Sequence, residues 1–112
     1  MEHIIDVKNK RLGRVASEIA VILQGKRNPK YQPRLSGTDK ILVKNINQIS
    51  LSGKKTIQKI YYKHTGPLGH LKERKYEDVF KKSPAWVLRH SVRLMLPKNR
   101  LQKLRMKRLI IE

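Results

Sequence analysis

The residues here that could do chemistry are cations and aromatic rings. The chain carries 27 Lys plus Arg against 8 Asp plus Glu, a net charge of +19 over 112 residues. The cations cluster as Lys8, Lys10, Arg11 and Arg14; as Lys26, Arg27, Lys30 and Arg34; as Lys54, Lys55, Lys59 and Lys63; and as Lys98, Arg100, Lys103, Arg105, Lys107 and Arg108. Lys72 follows a glycine-rich stretch, and Arg89 and Arg93 are one helical turn apart. Tyr31 lies beside Lys30, and Tyr61-Tyr62-Lys63-His64 sets two phenol rings and an imidazole around a cation. Arginine pairs bidentately with phosphate, and Tyr and His stack on unpaired bases. So large an excess of one sign repels itself unless a polyanion neutralises it, and nucleic acid is the polyanion with phosphates to match.

Catalytic alternatives fail on spacing. Ser52-Gly53-Lys54-Lys55-Thr56 ends like a phosphate-binding loop, but Gln48 stands where the first glycine belongs and Lys55 where Ser or Thr should follow the lysine. His64 and His70 lack carboxylate or thiolate neighbours to complete a metal site, and the absence of cysteine removes thiolate zinc sites and disulfides. Gly66-Pro67-Leu68-Gly69 has the G-x-x-G form of one RNA-gripping loop, but Pro67 removes an amide donor that such a loop uses. The acids are dispersed apart from Glu77-Asp78, so no paired-carboxylate or triad arrangement stands out. The expectation is a protein with no enzymatic activity, no cofactor, no metal and no small-molecule substrate.

The elements that must position these side chains follow from periodicity. His3–Val7 is short and β-branched and predicts a buried strand. From Leu12 the period becomes helical, with Leu12, Val15, Ala16, Ile19, Ala20, Ile22 and Leu23 on one face and Gly25 as the stop. Residues 25–37 predict a loop, Asp39–Asn45 a second strand and Ile49–Leu51 a short third. Residues 57–64 have no clear type, and Thr65–Lys72 predicts a loop. Tyr76–Lys82 predicts a short helix. Ser83-Pro84 opens another, running to Leu96 with Leu88, Val92 and Met95 on its buried face. A basic helical turn over 99–108 and a strand at Leu109–Ile111 end the chain. This order favours one α/β domain, a sandwich around a largely parallel sheet. No apolar run approaches the roughly 18 residues of a membrane span. The first residues resemble neither a signal nor a transit sequence, so the protein is expected to remain where it is made.

Several blocks together resemble the large-subunit ribosomal protein L-thirteen family, in its bacterial or organellar form. They are Leu12-Gly13-Arg14-Val15-Ala16-Ser17, Gln24-Gly25-Lys26 with Tyr31-Gln32-Pro33, Leu51-Ser52-Gly53-Lys54-Lys55, Tyr61-Tyr62-Lys63-His64-Thr65-Gly66, Leu71-Lys72-Glu73 and Val92-Arg93-Leu94-Met95-Leu96-Pro97-Lys98. The resemblance implies a three-layer α/β/α sandwich around a four-stranded parallel sheet. It also implies a structural role in early assembly of the large ribosomal subunit, with ribosomal RNA and neighbouring large-subunit proteins as partners.

The RNA-binding residues expected on these grounds are Lys8, Lys10, Arg11, Arg14, Lys26, Arg27, Lys30, Arg34, Lys54, Lys55, Lys59, Tyr61, Lys63, His64, Lys72, Arg89, Arg93, Lys98, Arg100 and Lys103. The mechanism would be charge neutralisation and shape fit. In a strand at 61–64, Tyr61 and Lys63 would face RNA and Tyr62 would fill the core. No dimer pattern or recognition-helix pair is present, so neither an obligate homo-oligomer nor a DNA-binding regulator is expected. A messenger-RNA-binding translational regulator is the alternative. The expected location is the cytoplasmic ribosome, or an organelle stroma or matrix if the chain is encoded there.

Overall fold

The computed structural model describes residues 2–35, 37–51, 58–64 and 71–111. Three parallel strands form the main sheet: β1 (Glu2–Asp6), β2 (Lys40–Lys44) and β5 (Leu109–Ile111), with β2 in the middle. Helix α1 (Leu12–Gln24) connects β1 to β2 in a β-α-β unit. The longer crossover from β2 to β5 carries the remaining elements. These are a 3-10 turn (Ile46–Gln48), an antiparallel pair of β3 (Ile60–His64) and β4 (Leu71–Lys75), and helices α2 (Tyr76–Lys82), α3 (Pro84–Met95) and α4 (Leu101–Lys107).

Alternation along the strands decides where the core lies. The register aligns Ile5 with Val43 and Ile111, and Ile41 with Leu109. These residues join the apolar stripe of α1, together with Val87, Leu88, Val92 and Leu96, in one core. The intervening row, Ile4, Leu42 and Ile110, points the other way, and Ile4 is 66 % and Ile110 49 % exposed. Helix α1 forms because its apolar residues recur at helical spacing. It ends at Gly25, whose φ of 79° is the left-handed conformation that glycine adopts without strain. Gly25 and Lys26 donate back to the Ile22 and Val21 carbonyls at 3.0 and 3.3 Å.

Several sequence expectations are corrected here. The α/β class and the mostly parallel sheet are present. The four-stranded three-layer sandwich is not: the described strands divide into a three-stranded parallel sheet and a separate two-stranded antiparallel one. The third strand expected at Ile49–Leu51 is reduced to a single parallel bridge between Ser50 and Arg11. The loop expected over Thr65–Lys72 gives way to β4 from Leu71 onward, while residues 65–70 lie outside the described residues. Leu71–Lys75 is exposed throughout, so pairing with β3 rather than burial makes it a strand, and no hydrophobic alternation announces it. Ser83 precedes α3 as expected, but its side chain makes no capping hydrogen bond. Met95 is exposed, and Val87 and Leu96 are buried alongside Leu88 and Val92.

Candidate nucleic-acid interface

The loop between β1 and α1 holds the first cationic cluster. Asn9 adopts a left-handed φ of 58°, and Lys8, Lys10, Arg11 and Arg14 are all exposed. The loop is fixed at both ends. The Lys8 amide donates to the Asp6 carboxylate (2.9 Å), the Ser50 amide to the Lys10 carbonyl (2.9 Å), and Leu12 N–H to the Ser50 carbonyl (2.9 Å). The Asp6 carboxyl is held below its ordinary range, mainly by the Asn45 side-chain amide and then by the Lys8 amide. The Arg11 guanidinium donates to the Leu51 carbonyl at 2.7 Å, so part of its donor capacity is internal. Lys26, Arg27, Lys30 and Arg34 occupy the loop beyond the other end of α1, roughly 20 Å away by helix rise, and are also exposed. One end of the helix therefore cannot share a phosphate with the other.

The antiparallel pair carries a third patch. Lys63 and Lys72 are both exposed and directly opposed in the β3–β4 register. Like charges in such a position repel unless an anion lies between or over them. Lys54 and Lys55 lie outside the described residues, as does the side chain of His64.

Tyr61 and Tyr62 reverse their expected roles. Tyr62 is 60 % exposed, whereas Tyr61 packs against the core. The Tyr61 ring meets Trp86 edge-on at 5.1 Å and His90 edge-on at 5.4 Å, and the Lys59 ammonium lies 5.2 Å from its centroid. Its hydroxyl is buried with no hydrogen-bond partner among the described residues, and burial, with a smaller contribution from Tyr76, pushes its pKa up to about 12. Tyr61 takes the core place expected for Tyr62, while Lys63, on the same face of the strand as Tyr61, is exposed as expected. The helix that fills the side of Tyr61 brings Trp86 and His90, and the sequence around 61–64 does not reveal it.

On α3, Arg89 and Arg93 project to the surface one turn apart, as expected. They share a groove of about 410 Å³ with Trp86 and His90, and with Lys103, Met106 and Lys107 of α4. Trp86 and His90 stack nearly parallel, with centroids 4.6 Å apart. The position of His90 on an amphipathic helix predicts a packing or RNA-facing residue, but not its partner Trp86, although an aromatic residue four positions before it, interleaved with Arg89 and Arg93, carries the needed spacing. Lys98 and Arg100 are exposed beyond α3.

The C-terminal basic run divides. Lys103 and Lys107 are exposed, but Arg105 is only 2 % exposed and donates to the Leu35 carbonyl at 3.1 Å. Arg108 donates to the Asp39 and Leu23 carbonyls, each at 2.7 Å. Burial lowers its pKa; Asp39 opposes that shift and Arg105 adds to it. These two arginines pin the 26–39 loop and the end of α1 to the body, which removes them from the RNA-facing set. Among the described residues no group of three His, Cys, Asp or Glu is placed to hold a metal ion, and no helix is long and apolar enough to cross a membrane.

The arrangement, an α/β core that presents cations from loops and one helix face, can be set beside known proteins. The family described as Ribosomal protein L13 matches residues 1–111. A protein of Clostridioides difficile (strain 630) named large ribosomal subunit protein uL13 is 47 % identical over 107 residues, covering 96 % of this chain and 75 % of the relative. Its namesake in Lawsonia intracellularis (strain PHE/MN1-00) is 46 % identical over 106 residues, covering 95 % and 74 %. That of Rubrobacter xylanophilus is 41 % identical over 109 residues, covering 97 % and 76 %. Matches of this extent and identity, on a fold of the expected class, make this chain a member of the ribosomal protein L13 family.

Proposed function

We propose that this chain braces folded large-subunit ribosomal RNA by presenting separate cationic patches from a fixed α/β body. As a member of its family it is a ribosomal protein whose role is structural rather than catalytic. What carries the RNA reading is the division of labour among charges. Asp6 and Asp39 are occupied within the protein, and Lys8, Lys10, Arg14, Lys26, Lys30, Lys63, Lys72, Arg89, Arg93, Lys98, Arg100 and Lys103 are turned outward. Each outward patch replaces condensed counterions on the RNA, and the distance between patches fixes which folded RNA shape fits. Early assembly suits such a protein, because it holds RNA segments together before later proteins add. The chain acts on this reading as a single domain and not as an obligate homo-oligomer, beside neighbouring large-subunit proteins and on the cytoplasmic ribosome. The messenger-RNA-regulator reading gains nothing from the fold or from the relatives.

Amine-reactive footprinting tests the proposal. Lys10, Lys26, Lys30, Lys63, Lys72 and Lys98 should react readily in the isolated protein and be protected in the assembled subunit. Equal reactivity in both would remove the RNA contacts.

A further inference from the structure

We propose that the groove between α3 and α4 holds one unpaired RNA nucleotide, its base stacked on the Trp86–His90 pair and its phosphates held by Arg89, Arg93, Lys103 and Lys107. The inference rests on the RNA-binding reading above and adds a base-contacting site to what is otherwise a phosphate-binding surface. Its first support is the stack itself. Two rings 4.6 Å apart and 11° from parallel both line the groove, and Tyr61 stands edge-on to each, bracing the pair from the core side. Trp86 remains 37 % exposed although its neighbours Val87 and Leu88 are fully buried. A large ring held rigidly at the surface loses little conformational entropy when a flat partner lands on it.

The second support is charge complementarity. Four cations line the groove, two from each helix, and no acid is among its lining residues in the described structure. The groove is held open by contacts that do not involve a ligand. Gln102 Nε2 donates to the Arg93 carbonyl at 2.8 Å and ties α4 to α3, while an Arg93 guanidinium nitrogen lies 3.5 Å from His90 Nδ1. Because a guanidinium can only donate, that contact favours the neutral ring with Nδ1 as acceptor, whose π-face is suited to stacking. Burial, Arg93 and Lys59 all press the same way by lowering the His90 pKa. A duplex has no base face to offer, so the occupant is a nucleotide from a loop, bulge or end. An acidic peptide would satisfy the cations but leave the ring stack without a flat partner.

Trp86 is the chain's single tryptophan, so its fluorescence reports the site directly. Full-length protein would be titrated at low salt with a 12-nucleotide oligouridylate, a 12-unit abasic oligomer of the same backbone charge, and a 12-residue oligoglutamate. The expected result is binding of both backbones, with quenching of Trp86 by the base-bearing oligomer only. Trp86→Leu should weaken that oligomer about tenfold, in line with the usual worth of one stacked base, and leave the abasic one unchanged. Trp86→Phe, read by anisotropy of a labelled oligomer, should restore most of the affinity and shows that the fold tolerates change at this position. If both oligomers bind without quenching, or all three quench alike, the stacking site is overturned and the phosphate-binding surface stands. If neither nucleic-acid backbone binds, the RNA reading falls with it.

Discussion

Among the basic residues, position in the sequence did not reveal use. Arg105 and Arg108 stand in the same run as Lys103 and Lys107, yet their guanidiniums serve as internal clamps on the Leu35, Asp39 and Leu23 carbonyls. Leu23 lies in the last turn of α1, where carbonyls lack helical partners and attract a cation. Composition predicted the excess charge; only the folded path of the 26–39 loop shows which cations are spent holding it. Arg108→Met should therefore cost about 1.5–3 kcal/mol of stability, the usual scale for hydrogen bonds to a charged donor. Arg14→Met, on the exposed face of α1, should stay within about 0.5 kcal/mol. Urea unfolding of the two variants checks this, and equal midpoints would contradict it. His90 makes a second prediction at this scale. Its folded pKa is lowered, first by burial and then by Arg93 and Lys59, while Arg89, Lys103 and Lys107 line the same groove. Below its unfolded value of 6.5 the unfolded chain binds more protons at this site than the folded one. Stability is then fully kept above that pH and declines as pH falls through 6.5. Melting temperature measured from pH 7.5 to 5.5 should fall less in His90→Gln than in the parent, and parallel curves would rule out the neutral histidine.

Elements with a strong apolar period were legible, and those held by pairing were not. The β1-α1-β2 unit, α2, α3 and β5 lie within a residue or two of their expected bounds, because each carries its own apolar stripe or β-branched run. In contrast β4 has no buried residue, and β3 carries aromatic residues on both faces, so alternation alone could not say which tyrosine enters the core. The packing of α3 decides it, since Trp86 and His90 are what Tyr61 meets. Tyr61→Ala should lower stability by about 2–4 kcal/mol, a large-to-small change in a half-buried site. Tyr61→Phe should hold or raise stability, because the hydroxyl it removes is buried without a partner among the described residues. Tyr62→Ala should be nearly silent in thermal unfolding, given its exposure. A larger loss at Tyr62 than at Tyr61 would mean that the strand's faces are assigned the wrong way round.

For the molecule as a whole, the charge of +19 already spoke for a polyanionic partner, and the resemblance supplied the ribosome; the structure adds the spacing of the patches. Cations at the two ends of α1, on the β3–β4 pair and along α3 cannot all serve one phosphate, so binding should neutralise several at once. The most direct test is the salt dependence of rebinding to large-subunit assembly particles that lack this protein, followed by sedimentation. If about six to ten phosphates are neutralised, affinity should fall by roughly 10³ to 10⁵ between 50 and 200 mM salt. A protein that fails to sediment with those particles at low salt, or whose affinity barely changes across that range, would contradict the account.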